Sequence, residues 1–254
     1  MMDRCIMKLL VTFFGVVMFW VHPVLSQNHI DSIIELGDDL ISLNDYEAAE
    51  DQYEQALDMR SNYIPALEAR IEVLLLMKRY NKAQKASEEA LEKHVGHPAF
   101  HLYLGKALIG RERYADALIH LNNALELTDA DDPQLLNKIY VNKGAVLQKQ
   151  NDFEQALDNY SSALEINRTN PNVFIYRGNL YYKRESYDQA LADFQEVLEL
   201  DPNNHVARYN LGMCYFKQGE KLNACDSFHK ACEMANKNAC KMVISKCLRS
   251  TETQ

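Results

Sequence analysis

The residues whose types and spacing could do chemistry are few, and they cluster. His94, His97 and His101 form one histidine group, Asp129, Asp131 and Asp132 form one acidic turn, and five of the six cysteines crowd the end of a 254-residue chain. Imidazoles at that density could hold a transition metal. Pro98 directly follows His97, however, which places His97 outside any helix that carries His101, and no cysteine or acidic fourth ligand is implied nearby. The acidic turn lacks the glycine and distal glutamate of a calcium loop, and Asp132 before Pro133 reads as a helix N-cap with proline in the first turn. No glycine-rich phosphate loop, no Gly-x-Ser-x-Gly and no His-Glu-x-x-His occurs. The expectation is a chain with no catalytic residue, no metal and no cofactor.

The cysteines carry more information. Cys225 and Cys232 are seven residues apart, two helical turns, and Cys240 and Cys247 repeat that spacing. If the two segments form an antiparallel helical hairpin centred near Asn236, Cys225 faces Cys247 and Cys232 faces Cys240. Such bridges would staple the end of the fold and would require an oxidising compartment. Cys214 would remain unpaired.

The elements that must position these residues come from an internal repeat. Alanine recurs at Ala49, Ala83, Ala117, Ala156, Ala190 and Ala224, with separations of 34, 34, 39, 34 and 34 residues. Twelve residues ahead of these alanines stand Gly37, Ile71, Gly105, Gly144, Gly178 and Gly212; four residues after them stand Tyr53, Ser87, Leu121, Tyr160, Phe194 and Phe228. Small residues where helices approach and aromatics beside the contact fit a helix-turn-helix unit that repeats because one pair cannot bury its own apolar face. The second unit, with Ile71 and Ser87, breaks the pattern at both places, and looser or differently angled packing is expected there. The five extra residues of the long step fall at Thr128 to Pro133, in a connection.

The Gly178, Tyr181, Tyr187, Ala190, Phe194, Leu198 and Pro202 spacing resembles the tetratricopeptide repeat, over roughly residues 30 to 236. The resemblance implies an all-α fold: a right-handed superhelical solenoid of about six helix-turn-helix repeats plus a C-terminal capping helix. The expected organisation is a leader at 1–26, repeats at about 30–63, 64–97, 98–131, 137–170, 171–204 and 205–236, and a capping helix with a tail at 237–254. In that frame Cys232 occupies a place held elsewhere by leucine, so a small buried thiol is the alternative to a bridge there. The segment from Ala224 to Leu248 is similar to the C-terminal end of many exported bacterial tetratricopeptide proteins, which supports the Cys225–Cys247 bridge and says nothing about Cys232 and Cys240.

The resemblance also implies that the first helix of each pair lines a concave face. On it the early repeats place Asp31, Glu35, Asp38, Glu68 and Glu72, while the later ones place Lys138, Asn142, Tyr176, Asn179, Tyr182, Lys183, Tyr209, Asn210 and Lys217. Amides, flat amphipathic rings and cations suit capture of an extended protein or peptide partner. The carboxylate clamp of some chaperone-binding members is missing, since the relevant positions hold Val141 with Ala145 and Ile175 with Asn179.

A formal charge of −9 argues against a nucleic-acid partner. Arg4 and Lys8 precede an apolar run from Leu9 to Val21, and small residues follow at Val24 and Ser26, the layout of a signal peptide cut after Ser26. The expected location is therefore periplasmic or secreted, with no stable membrane insertion after cleavage and with homo-oligomerisation as a further possibility for the mature chain.

Overall fold

The structure, a computed structural model, describes residues 27–248. Residues 1–26, on which the signal-peptide expectation falls, and the tail 249–254 lie outside the described residues. Every regular element among the described residues is helical, and the chain forms two compact units divided between Arg113 and Tyr114.

The first unit holds α1 (27–42), α2 (Tyr46–Met59), α3 (Ile64–Leu76), α4 (Tyr80–Lys93) and α5 (Pro98–Gly110). The second holds α6 (Tyr114–Leu127), α7 (Pro133–Lys149), α8 (Phe153–Ile166), α9 (Pro171–Lys183), α10 (Tyr187–Leu200), α11 (His205–Gln218), α12 (Lys221–Glu233) and α13 (Lys237–Met242). Several helices start at a side-chain cap, whereas α3, α4, α5, α10 and α12 start without one. The side chains of Asp132, Asn170, Asn204 and Asn236 each accept a backbone N–H at the head of α7, α9, α11 and α13, and Pro133 and Pro171 enter the first turn, where no partner for their nitrogen is needed. The turns inside the helix pairs use one left-handed residue each: Asn44, Lys78, Glu112, Asn151, Glu185 and Gly219. They follow the same separations as the repeated alanines, and only the last is glycine.

Packing follows the small-against-large rule. All six repeated alanines are fully buried. A methyl group added to Gly37 would fall 2.4 Å from the ring of Tyr53, on Gly144 2.7 Å from Tyr160, on Gly178 2.9 Å from Phe194 and on Gly212 2.7 Å from Phe228. Each glycine is thus the recess that its aromatic partner fills. The second helix pair makes the opposite choice, and the structure does not leave it loose: Ile71 is 1% exposed and Ser87 is 0% exposed. The bulk has moved from one helix to the other, and the Ser87 hydroxyl is satisfied by donating to the Ala83 carbonyl at 2.8 Å.

In the second unit α9 packs on α8, α10 and α11, so that each first helix touches both its own partner and the next first helix. Two arginines tie successive pairs. Arg70 on α3 donates to Glu54 on α2 at 2.8 Å, and Arg177 on α9 grips Asp193 on α10 with two bonds of 3.0 and 2.7 Å while donating to Ser161 on α8 at 3.1 Å. Burial pushes the Asp193 carboxyl up from its usual range, and the guanidinium pulls it back.

The array ends on a helical hairpin. Cys225 on α12 and Cys247 stand at a sulfur–sulfur distance of 2.00 Å, and Cys232 and Cys240 at 1.95 Å, both bonding distances. The terminal segment differs from the regular helix that its apolar spacing predicts: α13 has six residues and widens into a π-type turn over Val243–Cys247. The wider turn ends at the residue tethered to α12, so it carries Cys247 to its partner while Val243 stays buried against Ala224 and Phe228.

Candidate functional site

The face of interest in the second unit is built by α7, α9 and α11, the helices that touch one another across successive pairs. Its clearest feature is a bridge between repeats: the Asn210 side-chain amide on α11 donates to the Asn179 side-chain oxygen on α9 at 2.9 Å. Around this pair stand tyrosines anchored by rings beneath them. Tyr176 packs 5.9 Å from Tyr160, Tyr182 lies 5.6 Å from Tyr187, and Tyr209 lies 5.9 Å from Phe228, all centroid to centroid. Tyr176 is the most open, 42% exposed, and Tyr182 and Tyr209 are half-buried. Burial first, then the neighbours Cys214, Tyr187 and Tyr209, raise the Tyr182 phenol above its ordinary value, so it stays a neutral hydroxyl at physiological pH.

The cations and the remaining amide are placed differently. Lys183 sits over the ring of Phe153 at 4.4 Å, which draws its ammonium toward the start of α8. Asn142 spends its amide on the Lys138 carbonyl one turn back at 2.7 Å, while the Lys138 and Lys217 side chains are exposed. The structure therefore brings Asn179, Asn210, Tyr182 and Tyr209 into one neighbourhood, with Tyr176 beside them on α9; Lys138 with Asn142 forms a separate cluster on α7. Sequence reading missed the Arg177–Asp193–Ser161 network beneath this face. Its only signal was a charged pair sixteen residues apart, which has meaning only once two helices are laid side by side.

Other candidates find structural employment. The rings of His94 and His97 pack at 5.9 and 4.7 Å from Phe100, and burial, with the nearby His94, lowers the pKa of His97. Asp132 caps α7. Cys214 is 0% exposed among Ala190, Phe194 and Leu211, and burial pushes its thiol up to about 12. No helix of the described residues is long and apolar enough to cross a membrane.

In a hollow of the first unit, Asp38, Glu68 and Glu72 lie close to Tyr53 and Tyr103. The Tyr53 hydroxyl donates to Asp38 at 2.6 Å, and Tyr103 is hydrogen-bonded to Glu72. Burial first, with these carboxylates, moves both phenols well above their usual range.

Comparison with known proteins agrees with the architecture. A human relative, the protein O-mannosyl-transferase TMTC1, is 24% identical over 149 residues, covering 58% of this chain and only 17% of the relative's length. Among solved structures, that of Pseudomonas aeruginosa pilF superposes with a TM-score of 0.73 at 18% identity, over 87% of this chain and 99% of that one. A chain of the Cut9–Hcn1 hetero-tetramer of the APC/C gives 0.71 at 18% identity, over 85% of this chain and 42% of that one. One model described as "TPR repeat" matches residues 144–184 and 178–219, and three described as "Tetratricopeptide repeat" match 29–62, 70–133 and 205–238. With helix pairs, recessed glycines and family matches along most of its length, the chain belongs to the tetratricopeptide repeat family, a scaffold for protein–protein interaction.

Proposed function

We propose that this chain is an exported, non-catalytic adaptor that holds an extended segment of a partner protein along the face of α7, α9 and α11. The observation that carries the reading is the Asn179–Asn210 bridge. It orients two amides on rigid neighbouring helices and leaves the Asn179 nitrogen and the Asn210 oxygen to pair with a peptide backbone. Tyr176, Tyr182 and Tyr209 supply flat contact area already fixed by ring packing, which lowers the entropy lost on binding. Lys138, Lys183 and Lys217 favour acidic residues on the partner's flanks. Export is supported by the two cysteine pairs at bonding distance, since such pairs persist in oxidising compartments.

The test is affinity capture from envelope or culture fractions with the mature protein and with a Tyr176→Ala, Asn179→Ala, Asn210→Ala variant of unchanged helicity. A partner retained by the first and lost by the second supports the reading; equal capture by both moves binding off this face. Amino-terminal sequencing of the purified protein checks export, with Gln27 as the expected first residue.

A second reading, assembly with copies of itself, is favoured by Leu222 at 87% and Ile244 at 59% exposure near the capped end. An intermolecular bridge through Cys214 is not its route, because that thiol is buried. Mass that rises with concentration, measured by analytical ultracentrifugation, would support it.

A further inference from the structure

Two stretches of the chain carry the Asn-x-Ser/Thr sequence at which an oligosaccharide is attached in exported proteins: Asn159-Tyr160-Ser161 and Asn167-Arg168-Thr169. The structure separates them. Asn159 lies inside α8, its side-chain amide donates to the Gln155 carbonyl at 2.7 Å, Tyr160 is 1% exposed, and the Ser161 hydroxyl is held by Arg177 at 3.1 Å. A transferase could not engage that asparagine without unwinding the helix. Asn167, Arg168 and Thr169 are all exposed, in the connection 167–170 between α8 and α9, and Asn167 has extended backbone angles (φ −139°, ψ 99°).

The Asn167 side chain is oriented with its nitrogen outward. Its Oδ1 accepts from the Thr169 backbone N–H at 2.8 Å and from the Thr169 hydroxyl at 2.7 Å. Two donors converge on one atom, so that atom is the oxygen, and Nδ2 faces away from them. The next repeat shows that the turn itself does not need an amide. There Asp201 stands at the equivalent place, and its carboxylate accepts from the Asn203 backbone N–H at 3.1 Å. A carboxylate does the structural work, so the Asn167 nitrogen and the Thr169 hydroxyl are surplus to the fold. Beside Asn167, the residues Gln134, Asn137, Lys138 and Asn170 line a hollow of about 420 Å³, where a first sugar can lie without displacing a packed side chain.

We infer that Asn167 is a site of N-linked glycosylation, which receives an oligosaccharide from a polyprenyl-diphosphate donor. In the transfer Nδ2 attacks the anomeric carbon, C1, of the first sugar. The new Nδ2–C1 bond replaces the C1–O bond to the diphosphate, the polyprenyl diphosphate leaves with that electron pair, and one Nδ2 proton passes to a carboxylate of the transferase. The inference rests on the export reading, because an oligosaccharide on such a donor meets only chains that have crossed the membrane.

The test recovers the protein from envelope or culture fractions of the cells that make it, and applies intact mass spectrometry, peptide mapping and amino-terminal sequencing to one sample. The expected result is a mass above that of the polypeptide by one oligosaccharide, carried by the peptide that contains Asn167 and absent from Asn159. Asn167→Asp and Thr169→Asn each copy a residue of the next repeat's turn, so both should keep the wild-type urea midpoint, and each should lose the oligosaccharide completely. A bare Asn167 in protein that begins at Gln27 overturns the inference and leaves export standing; a bare Asn167 in protein that keeps its leader overturns both. A sugar found on Asn159 instead, or one that persists on Asn167 in the Thr169→Asn variant, also overturns the inference.

Discussion

The exchange of bulk between Ile71/Ser87 and the glycine–aromatic pairs can be transplanted. Gly178 and Phe194 are the equivalents of Ile71 and Ser87, and a methyl on Gly178 would already stand 2.9 Å from Phe194 Cε1 and 3.1 Å from the Asp193 Cβ. Gly178→Ile alone forces a branched side chain into a filled recess; overpacking costs about 1–3 kcal/mol, less roughly 0.5 kcal/mol regained from the poorer helix propensity of glycine. Phe194→Ser alone empties a site that is 0% exposed, at about 3–5 kcal/mol. The double variant recreates the second repeat's arrangement: the new side chain on α9 fills the space left on α10, and the introduced hydroxyl can bond the Ala190 carbonyl as Ser87 bonds that of Ala83. Urea unfolding followed by circular dichroism, with the disulfides oxidised, should give a coupling of about 2 kcal/mol or more in favour of the double variant. Effects that add to within about 0.5 kcal/mol would refute the size-exchange account and mean that Ile71 and Ser87 fit for reasons peculiar to their own helix pair.

Three further outcomes are expected. Replacing Cys225 and Cys247 by alanine opens a link between residues 22 apart, and a loop of that size is worth about 3 kcal/mol; hydrogen exchange should then speed up across α12 and α13 while α8 keeps its protection. Arg177→Met strands Asp193, 3% exposed, at a cost of about 3 kcal/mol in urea unfolding, and adding Asp193→Leu should recover most of that loss. His97 has a folded pKa below its ordinary 6.5, so the unfolded chain binds more protons and stability falls as pH drops through 6.5 toward the folded value. The urea midpoint of wild type should therefore fall more between pH 7.5 and pH 5.5 than that of His97→Gln.

The helical class, the repeat period and the turn positions were legible in the sequence because they follow from local rules. Small residues every 34 positions, aspartate ahead of proline, and apolar spacing along a helix are properties of neighbouring residues, and the cap at Asp132 appears where those rules put it. The candidate face was legible only as a set of positions. Which of its side chains are spent on their own helix, as Asn142 is, and which reach across to the next, as Asn210 does, depends on rotamers and on how far apart two helices stand.

Where partners are distant in sequence, tertiary structure decided. The spacing of Ile71 and Ser87 read as a defect, and only side-by-side packing turns it into a complementary fit, because volume is conserved across a contact and not along a chain. The Arg177 network, the burial of Cys214 and the gathering of Asp38, Glu68 and Glu72 around two phenols have the same origin. The sequence by itself determined that helices form and that they repeat. Tertiary structure decided which polar groups lose their water and so must find one another, since desolvation is a property of the packed helices and of no single one of them.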